Sequence, residues 1–255
     1  MTVLCLFLMM GIFLGLVGAG GSILSIPILT YGVGMPMVKA SSFSLAIIGF
    51  VAMIAVVRVR HTISFKVSLL YALPTVLAML IARMWLLSVV RRSVGGPVLQ
   101  QMLECLLVLF MVGAAYSLLK RHHEDRQVTD WSYALYFTMA FLLGLLVGML
   151  GAGGGFLLIP LLVLSGHFDL PRAINLSYVL IALNSMTGFV VDDHAYSQAE
   201  WLLLVGYVLM SLMGMHMGIY ARQYVDVIWI TRVFAFILII NSFILSVKLV
   251  LELFL

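Results

Sequence analysis

Apolar positions run along the chain in long blocks. They cover roughly residues 2–33, 38–57, 65–89, 98–119, 132–166, 172–191, 199–221 and 228–254, with short polar connections between them. A helix needs about 20 apolar residues to cross the hydrocarbon core of a bilayer, so most of these blocks predict one transmembrane helix each. The block at 132–166 is too long for one comfortable span and short for two. Its middle carries Gly153-Gly154-Gly155, and glycine costs a helix interior about 1 kcal/mol per residue. The pattern predicts a broken element: a half-helix, a glycine turn and a second half-helix. Non-helical backbone at membrane depth survives only when buried in protein or lining a cavity.

The first block has the same character. Gly15-Leu16-Val17-Gly18-Ala19-Gly20-Gly21-Ser22, followed by Pro27, recurs as Gly148-Met149-Leu150-Gly151-Ala152-Gly153-Gly154-Gly155, followed by Pro160. Every matched residue is offset by 133 positions, and the offset persists: Lys39 matches Arg172, Ala40 matches Ala173, Ser44 matches Ser177 and His61 matches His194. The chain therefore reads as an all-α, polytopic integral membrane protein of two homologous halves. Each half has one glycine-broken segment and three further transmembrane helices. The halves are residues 1–119 and 132–255, joined by a charged linker at 120–131. Duplicated halves with Gly- and Pro-interrupted segments in matching places point to a secondary transporter and its substrate site.

Composition agrees with the block pattern. The 255 residues are 64% hydrophobic and 9% charged, which a soluble domain could not keep in solution. The N-terminus lacks a basic region and a cleavage signal, so no cleaved signal peptide is expected. The net charge of +4 reflects short basic loops, and nucleic acid is not an expected partner. Cys5 and Cys105 lie in apolar segments as packing residues.

Charge also bears on topology. If each glycine segment spans once, loop Lys and Arg divide seven against six. If each turns back, one side collects Arg58, Arg60, Lys66, Lys120, Arg121, Arg126, Arg172, Arg222 and Arg232, against Lys39, Arg91, Arg92 and Lys248. The positive-inside rule prefers the second division. It makes the two halves inverted repeats and places the linker in the cytoplasm.

Several residues are candidates for handling a ligand. The glycine turns, with Gly18, Gly20, Gly21 and Ser22 in the first and Gly151, Gly153, Gly154 and Gly155 in the second, can form nests of backbone N–H groups at a half-helix N-terminus, which suit an anion. Close helix packing is the plain alternative. Lys39 and Arg172 stand at equivalent helix starts, either snorkelling to the interface or drawing an anion inward. Ser41, Ser42 and Ser44 in the first half, and Asn175, Ser177 and Asn184 in the second, supply neutral donors facing the protein interior. Such donors suit an anion that must bind and also leave. Arg83 and Glu104 lie inside apolar blocks, where isolated charges default to function, and they could pair with each other. Glu104 and His216 are candidates for proton coupling. Asp192-Asp193-His194 reads as a solvated loop. Met213, Met215 and Met217 alternate onto different helical faces as lipid-facing or packing residues.

The double motif, its prolines, and the following Lys39-Ala40-Ser41-Ser42 and Arg172-Ala173-Ile174-Asn175 resemble the TauE/SafE family of sulfite exporters over essentially the whole chain. The chain departs from that pattern at Ser22, where a third glycine is common. The resemblance implies transmembrane export of sulfite, sulfonates or related organosulfur anions by alternating access, in a prokaryotic cytoplasmic membrane. The partners expected are a small inorganic or organosulfur anion and the lipid bilayer, with homo-oligomerisation left open. No cofactor or metal is expected.

Two other classes compete. An intramembrane enzyme would need converging catalytic groups, such as His194 with Asp192 and Asp193 or His216 with Glu104, yet no Ser/His pairing or metal-ligand spacing is recognisable. A passive anion channel would conduct without saturation. No Walker motif appears, so ATP hydrolysis is not expected.

Overall fold

The computed structural model describes residues 2–18, 22–86, 105, 108–109, 111–113, 115–116, 119, 132–150, 155–165, 167–192 and 196–254. Among these residues all regular structure is helical, and nine α-helices have defined bounds: α1 Thr2–Val17, α2 Ser22–Pro27, α3 Met37–Val59, α4 Phe65–Ile81, α5 Tyr133–Leu150, α6 Gly155–Leu164, α7 Leu170–Val191, α8 Gln198–Ala221 and α9 Val227–Phe254. The charged linker 120–131 lies outside the described residues.

The first glycine segment is broken. α1 stops at Val17, Gly18 takes φ +88°, and α2 begins at Ser22. Pro27 ends α2, and because proline has no N–H to donate the chain continues as a wide π-type turn, Ile28–Gly32. In the second segment α5 stops at Leu150 and α6 starts at Gly155. Helix starts at Ser22, Met37 and Phe65 thus recur at Gly155, Leu170 and Gln198, each 133 positions on.

Small residues set the closest helix pairs. Phe7 stacks on Tyr207 at 4.4 Å, and a β-carbon on Gly11 would stand 2.1 Å from the Ser211 carbonyl oxygen. Gly15 meets Gly218 in the same way. α1 and α8 therefore run parallel, backbone against backbone, as small residues allow in membranes. The pair α4 and α5 repeats this: Tyr71 faces Tyr136 at 4.6 Å, and Gly144 and Gly148 receive Ala78 and Ala82. α3 and α7 run antiparallel at the centre, since Leu45 packs on Gly188 and Gly49 on Met186. Every one of these pairs joins a helix of residues 1–119 to one of residues 132–255.

The outer faces are apolar. On α4, Leu69, Leu73, Leu77 and Ile81 form an exposed stripe at helical spacing, while Ser68, Thr75 and Ala78 turn inward. On α8, Leu202, Leu209, Met213 and Met217 face outward, and Ser211, Gly214, Met215 and Gly218 are buried. Large apolar groups outside and small or polar ones inside are the arrangement a lipid solvent selects. Four stretches among the described residues are long and apolar enough to cross a membrane: Lys39–Thr62, Phe65–Trp85, Leu170–Val191 and Gln198–Tyr224.

Candidate functional site along the central helix pair

α3 and α7 are buried on nearly all sides and carry the polar positions. Near the start of α7, Ser177 Oγ donates to the Ile174 carbonyl at 2.7 Å. This face of α7 lies against Gly18: a β-carbon there would stand 2.6 Å from Ile174 Cγ2 and 3.1 Å from Ser177 Oγ. Together with its left-handed φ, this contact requires glycine. Next along, the buried Tyr178 hydroxyl donates to the carbonyls of Leu14 and Gly15 at 3.0 and 3.1 Å. Both carbonyls belong to the last turn of α1: that of Leu14 also accepts from the Gly18 N–H at 2.8 Å, whereas that of Gly15 lies past the last helical donor. At the start of α3, Ser44 Oγ lies 2.5 Å from Ser25 Oγ on α2.

Two arginines turn inward, one at each end of this helix pair. Arg83 lies in a wide turn, Ala82–Leu86, that continues α4. Its guanidinium donates to Asp192, to Ser41 Oγ at 2.8 Å and to the Gly148 carbonyl at 3.1 Å. Ser42 Oγ donates to the same Asp192 oxygen at 2.5 Å. The Arg83 side chain is 6% exposed and that of Asp192 17%, so Asp192 is no solvated loop residue. Its carboxylate neutralises a cation that would otherwise be buried alone. Tyr196 shares this node: burial pushes its phenol up to about 12, opposed by a hydrogen bond with Ser42. At the opposite end, Arg222 Nη2 donates to Asn175 Oδ1 at 2.7 Å, and Asn175 Nδ2 donates to Thr62 Oγ1 at 3.0 Å.

Between the ends, Asn184 and Thr75 exchange a hydrogen bond at 3.2 Å. They line a cavity of about 10 Å³ with Leu143, Gly144, Val147, Leu157 and Leu158. That is room for roughly one water, too little for an ion with several oxygens.

The remaining candidates distribute as follows. Lys39 is ion-paired with Glu200. Arg172 lies 3.4 Å from Asp169, both well exposed. His216 is exposed on α8 and bonds the Leu212 carbonyl through Nδ1 at 2.9 Å, apart from both arginine nodes. Ser22 and Gly155 are the first residues of α2 and α6. Gly20, Gly21, Gly151, Gly153, Gly154 and Glu104 lie outside the described residues, as do Asp193 and His194. Ser41 and Ser44 are buried at one end, Asn175 and Ser177 at the other. Gly18 flanks one break and Gly148 the other, and they lie at opposite ends of the α3–α7 pair rather than across one pocket.

Sequence reasoning missed Tyr178, Thr62 and Thr75, and it placed Arg222 only among loop charges. For Tyr178 a signal existed, a phenol one turn past Asn175 in an apolar helix, where a buried hydroxyl calls for a partner.

These features, apolar outward faces, helices interrupted inside the bundle and polar nodes along a central antiparallel pair, are those of an integral membrane transporter. The chain belongs to the sulfite exporter TauE/SafE family, whose family model matches residues 3–245. A probable membrane transporter protein of Xylella fastidiosa (strain Temecula1) is 25% identical over 221 residues, spanning 82% of this chain and 80% of that protein. Another, from Methanocaldococcus jannaschii, is 24% identical over 208 residues, spanning 78% of this chain and 73% of that protein. No solved structure matches at a comparable level.

Proposed function

We propose that this protein is a secondary transporter that exports small sulfur-containing anions, such as sulfite or sulfonates, by alternating access. The observation that carries the proposal is the contact of the Gly18 break with Ile174 and Ser177 of α7. It sets a helix interruption against the buried Ser177 hydroxyl inside the bundle, in a family named for sulfite export.

The halves are read as inverted repeats of residues 1–119 and 132–255. The common spacing of 133 between helix starts supports this, as does the antiparallel crossing of α3 with α7, its equivalent. The pairs α1–α8 and α5–α4 are equivalent too. A two-fold axis across the helices would relate all three pairings, as in many transporters. With α1 and α3 starting on one side, the chain must turn back between them, which favours the nine-to-four charge division and a cytoplasmic linker. Breaks at opposite ends suit a site that opens to one side at a time. Relatives in a bacterium and an archaeon support a prokaryotic cytoplasmic membrane.

The test is uptake of radiolabelled sulfite into proteoliposomes, competed with sulfoacetate, thiosulfate, sulfate and chloride, for wild type and Gly18→Val. Saturable uptake, blocked by sulfur oxyanions and lost in the variant, is expected. Non-saturating, ohmic flux would replace the transporter with a channel. Absence of flux for every anion, from folded protein, would remove the sulfur assignment.

A further inference from the structure

We propose that Arg222 is the cationic anchor of an oxyanion-binding subsite beside the first helix break, with Asn175 as its positioning residue. The inference rests on the transporter reading and deepens it by naming the group that holds the anion.

Among the described residues, Arg58 and Arg60 at the end of α3 are exposed, and three other cations near α3 and α7 stand beside carboxylates. Arg83 has Asp192, Lys39 has Glu200, and Arg172 lies beside Asp169. Among the described residues no carboxylate pairs with Arg222. Its Nη1 is buried and without a hydrogen-bond partner. A charged donor left unmatched away from water is costly, and such groups in folded proteins call for an explanation. A bound anion is the partner that would satisfy both the charge and the donor.

The rest of the guanidinium is held in place. The Thr62 hydroxyl donates to the Val59 carbonyl at 2.8 Å and accepts from Asn175 Nδ2 at 3.0 Å, and Asn175 Oδ1 accepts from Arg222 Nη2 at 2.7 Å. Every group in that relay is used, so it fixes the plane of the guanidinium and leaves Nη1 for another acceptor. Arg222 follows Gly218 by one turn, and Gly218 packs on Ile12 and Gly15 at the end of α1. The free donor therefore stands where α1 breaks and where Ser177 faces Gly18. With Nη2 on Asn175, the planar fork of the guanidinium holds Nη1 free for an oxygen of a sulfite, sulfonate or carboxylate. A lysine ammonium, which lacks that fork, cannot hold Asn175 and the anion in the same geometry.

The experiment measures thermal stabilisation and proteoliposome uptake of the full chain with sulfite, sulfoacetate, phosphate and acetate, for wild type, Arg222→Gln and Arg222→Lys. Binding to the folded state raises the unfolding temperature with ligand concentration, so one scan reports both folding and binding. In Arg222→Gln, the expected result is a folded protein whose affinity for the anion falls about tenfold or more, as loss of a charge-assisted pair implies. Arg222→Lys keeps the charge and is expected to fold, with affinity between the two. It carries the test if the glutamine variant does not fold. Sulfite handling at wild-type affinity in Arg222→Gln or Arg222→Lys would overturn the subsite while leaving the transporter reading intact. Binding of phosphate or acetate but no sulfur anion, dependent on Arg222, would uphold the subsite and remove the sulfur assignment. Wild type that responds to none of the anions would overturn both.

Discussion

The Nε of Arg83 lies 3.1 Å from the carbonyl oxygen of Gly148. Gly148 follows Gly15 by 133 positions, and the Gly15 carbonyl accepts from the Tyr178 hydroxyl, also at 3.1 Å. The Gly15 carbonyl belongs to the last turn of α1, which stops at Val17, and the Gly148 carbonyl to the last described turn of α5. The last four carbonyls of a helix have no partner within it, and lipid supplies none. Each of the two carbonyls accepts from the opposite half of the chain, one from a neutral phenol and one from a guanidinium. A cation there also meets the negative end of the helix dipole.

Tyr178→Phe keeps the ring and deletes only the hydroxyl that serves Leu14 and Gly15. The Leu14 carbonyl keeps the Gly18 N–H, so we expect a loss of about 1–3 kcal/mol, the cost of leaving the buried Gly15 carbonyl unmet, read as a lower thermal midpoint in detergent. Unchanged melting would show that the hydroxyl does not stabilise the end of α1.

Arg83 and Asp192 are expected to couple strongly. Removing either partner alone, by Arg83→Leu or Asp192→Leu, should cost about 3–5 kcal/mol because the other charge stays buried. The double variant Arg83→Leu/Asp192→Leu should recover much of that. A double-mutant cycle on unfolding measures it, and simple additivity of the two single losses would disprove the pairing.

Two glycines of the α1–α8 region should respond to alanine with opposite signs. At Gly11 the added carbon would stand 2.1 Å from the Ser211 carbonyl oxygen, whereas at Gly206 nothing lies within 4 Å. Gly11→Ala should lose about 1–3 kcal/mol through overpacking. Gly206→Ala should be neutral or gain up to about 1 kcal/mol in helix propensity. Thermal midpoints of the two variants, compared with wild type, decide it. Equal shifts in one direction would contradict the parallel packing of α1 on α8.

Lys39 and Glu200 form an ion pair whose side chains are 36% and 23% exposed. Lys39→Ala should cost no more than about 1 kcal/mol, as for surface pairs. Glu200→Ala should cost more than Lys39→Ala, because Glu200 also completes a capping box with Ser197 at the start of α8. Denaturation of both variants at low and high salt would reveal the order, and a larger loss for Lys39→Ala would refute the capping role.

Hydropathy and glycine placement made the helical, membrane-spanning character legible from the sequence, along with the interruption at Gly18 and the inward polar positions Ser44, Asn175, Ser177 and Asn184. These are local properties: a run of apolar residues must leave water, and Gly18 alone tolerates its φ of +88° beside Ile174. Which partner each buried or half-buried cation finds was decided by tertiary structure alone. Arg83 finds Asp192 across 109 positions, Lys39 finds Glu200 across 161, and Arg222 finds Asn175 across 47. In sequence, Asp192-Asp193-His194 looks like any solvated loop, and Arg222 like any loop cation. Their roles depend on the direction in which α3, α4, α7 and α8 pack, which is set by the fit of Gly11, Gly15, Gly49, Gly144 and Gly188 against distant helices. Hydropathy says that a residue is inside, but only the packed helices bring a particular donor to a particular acceptor.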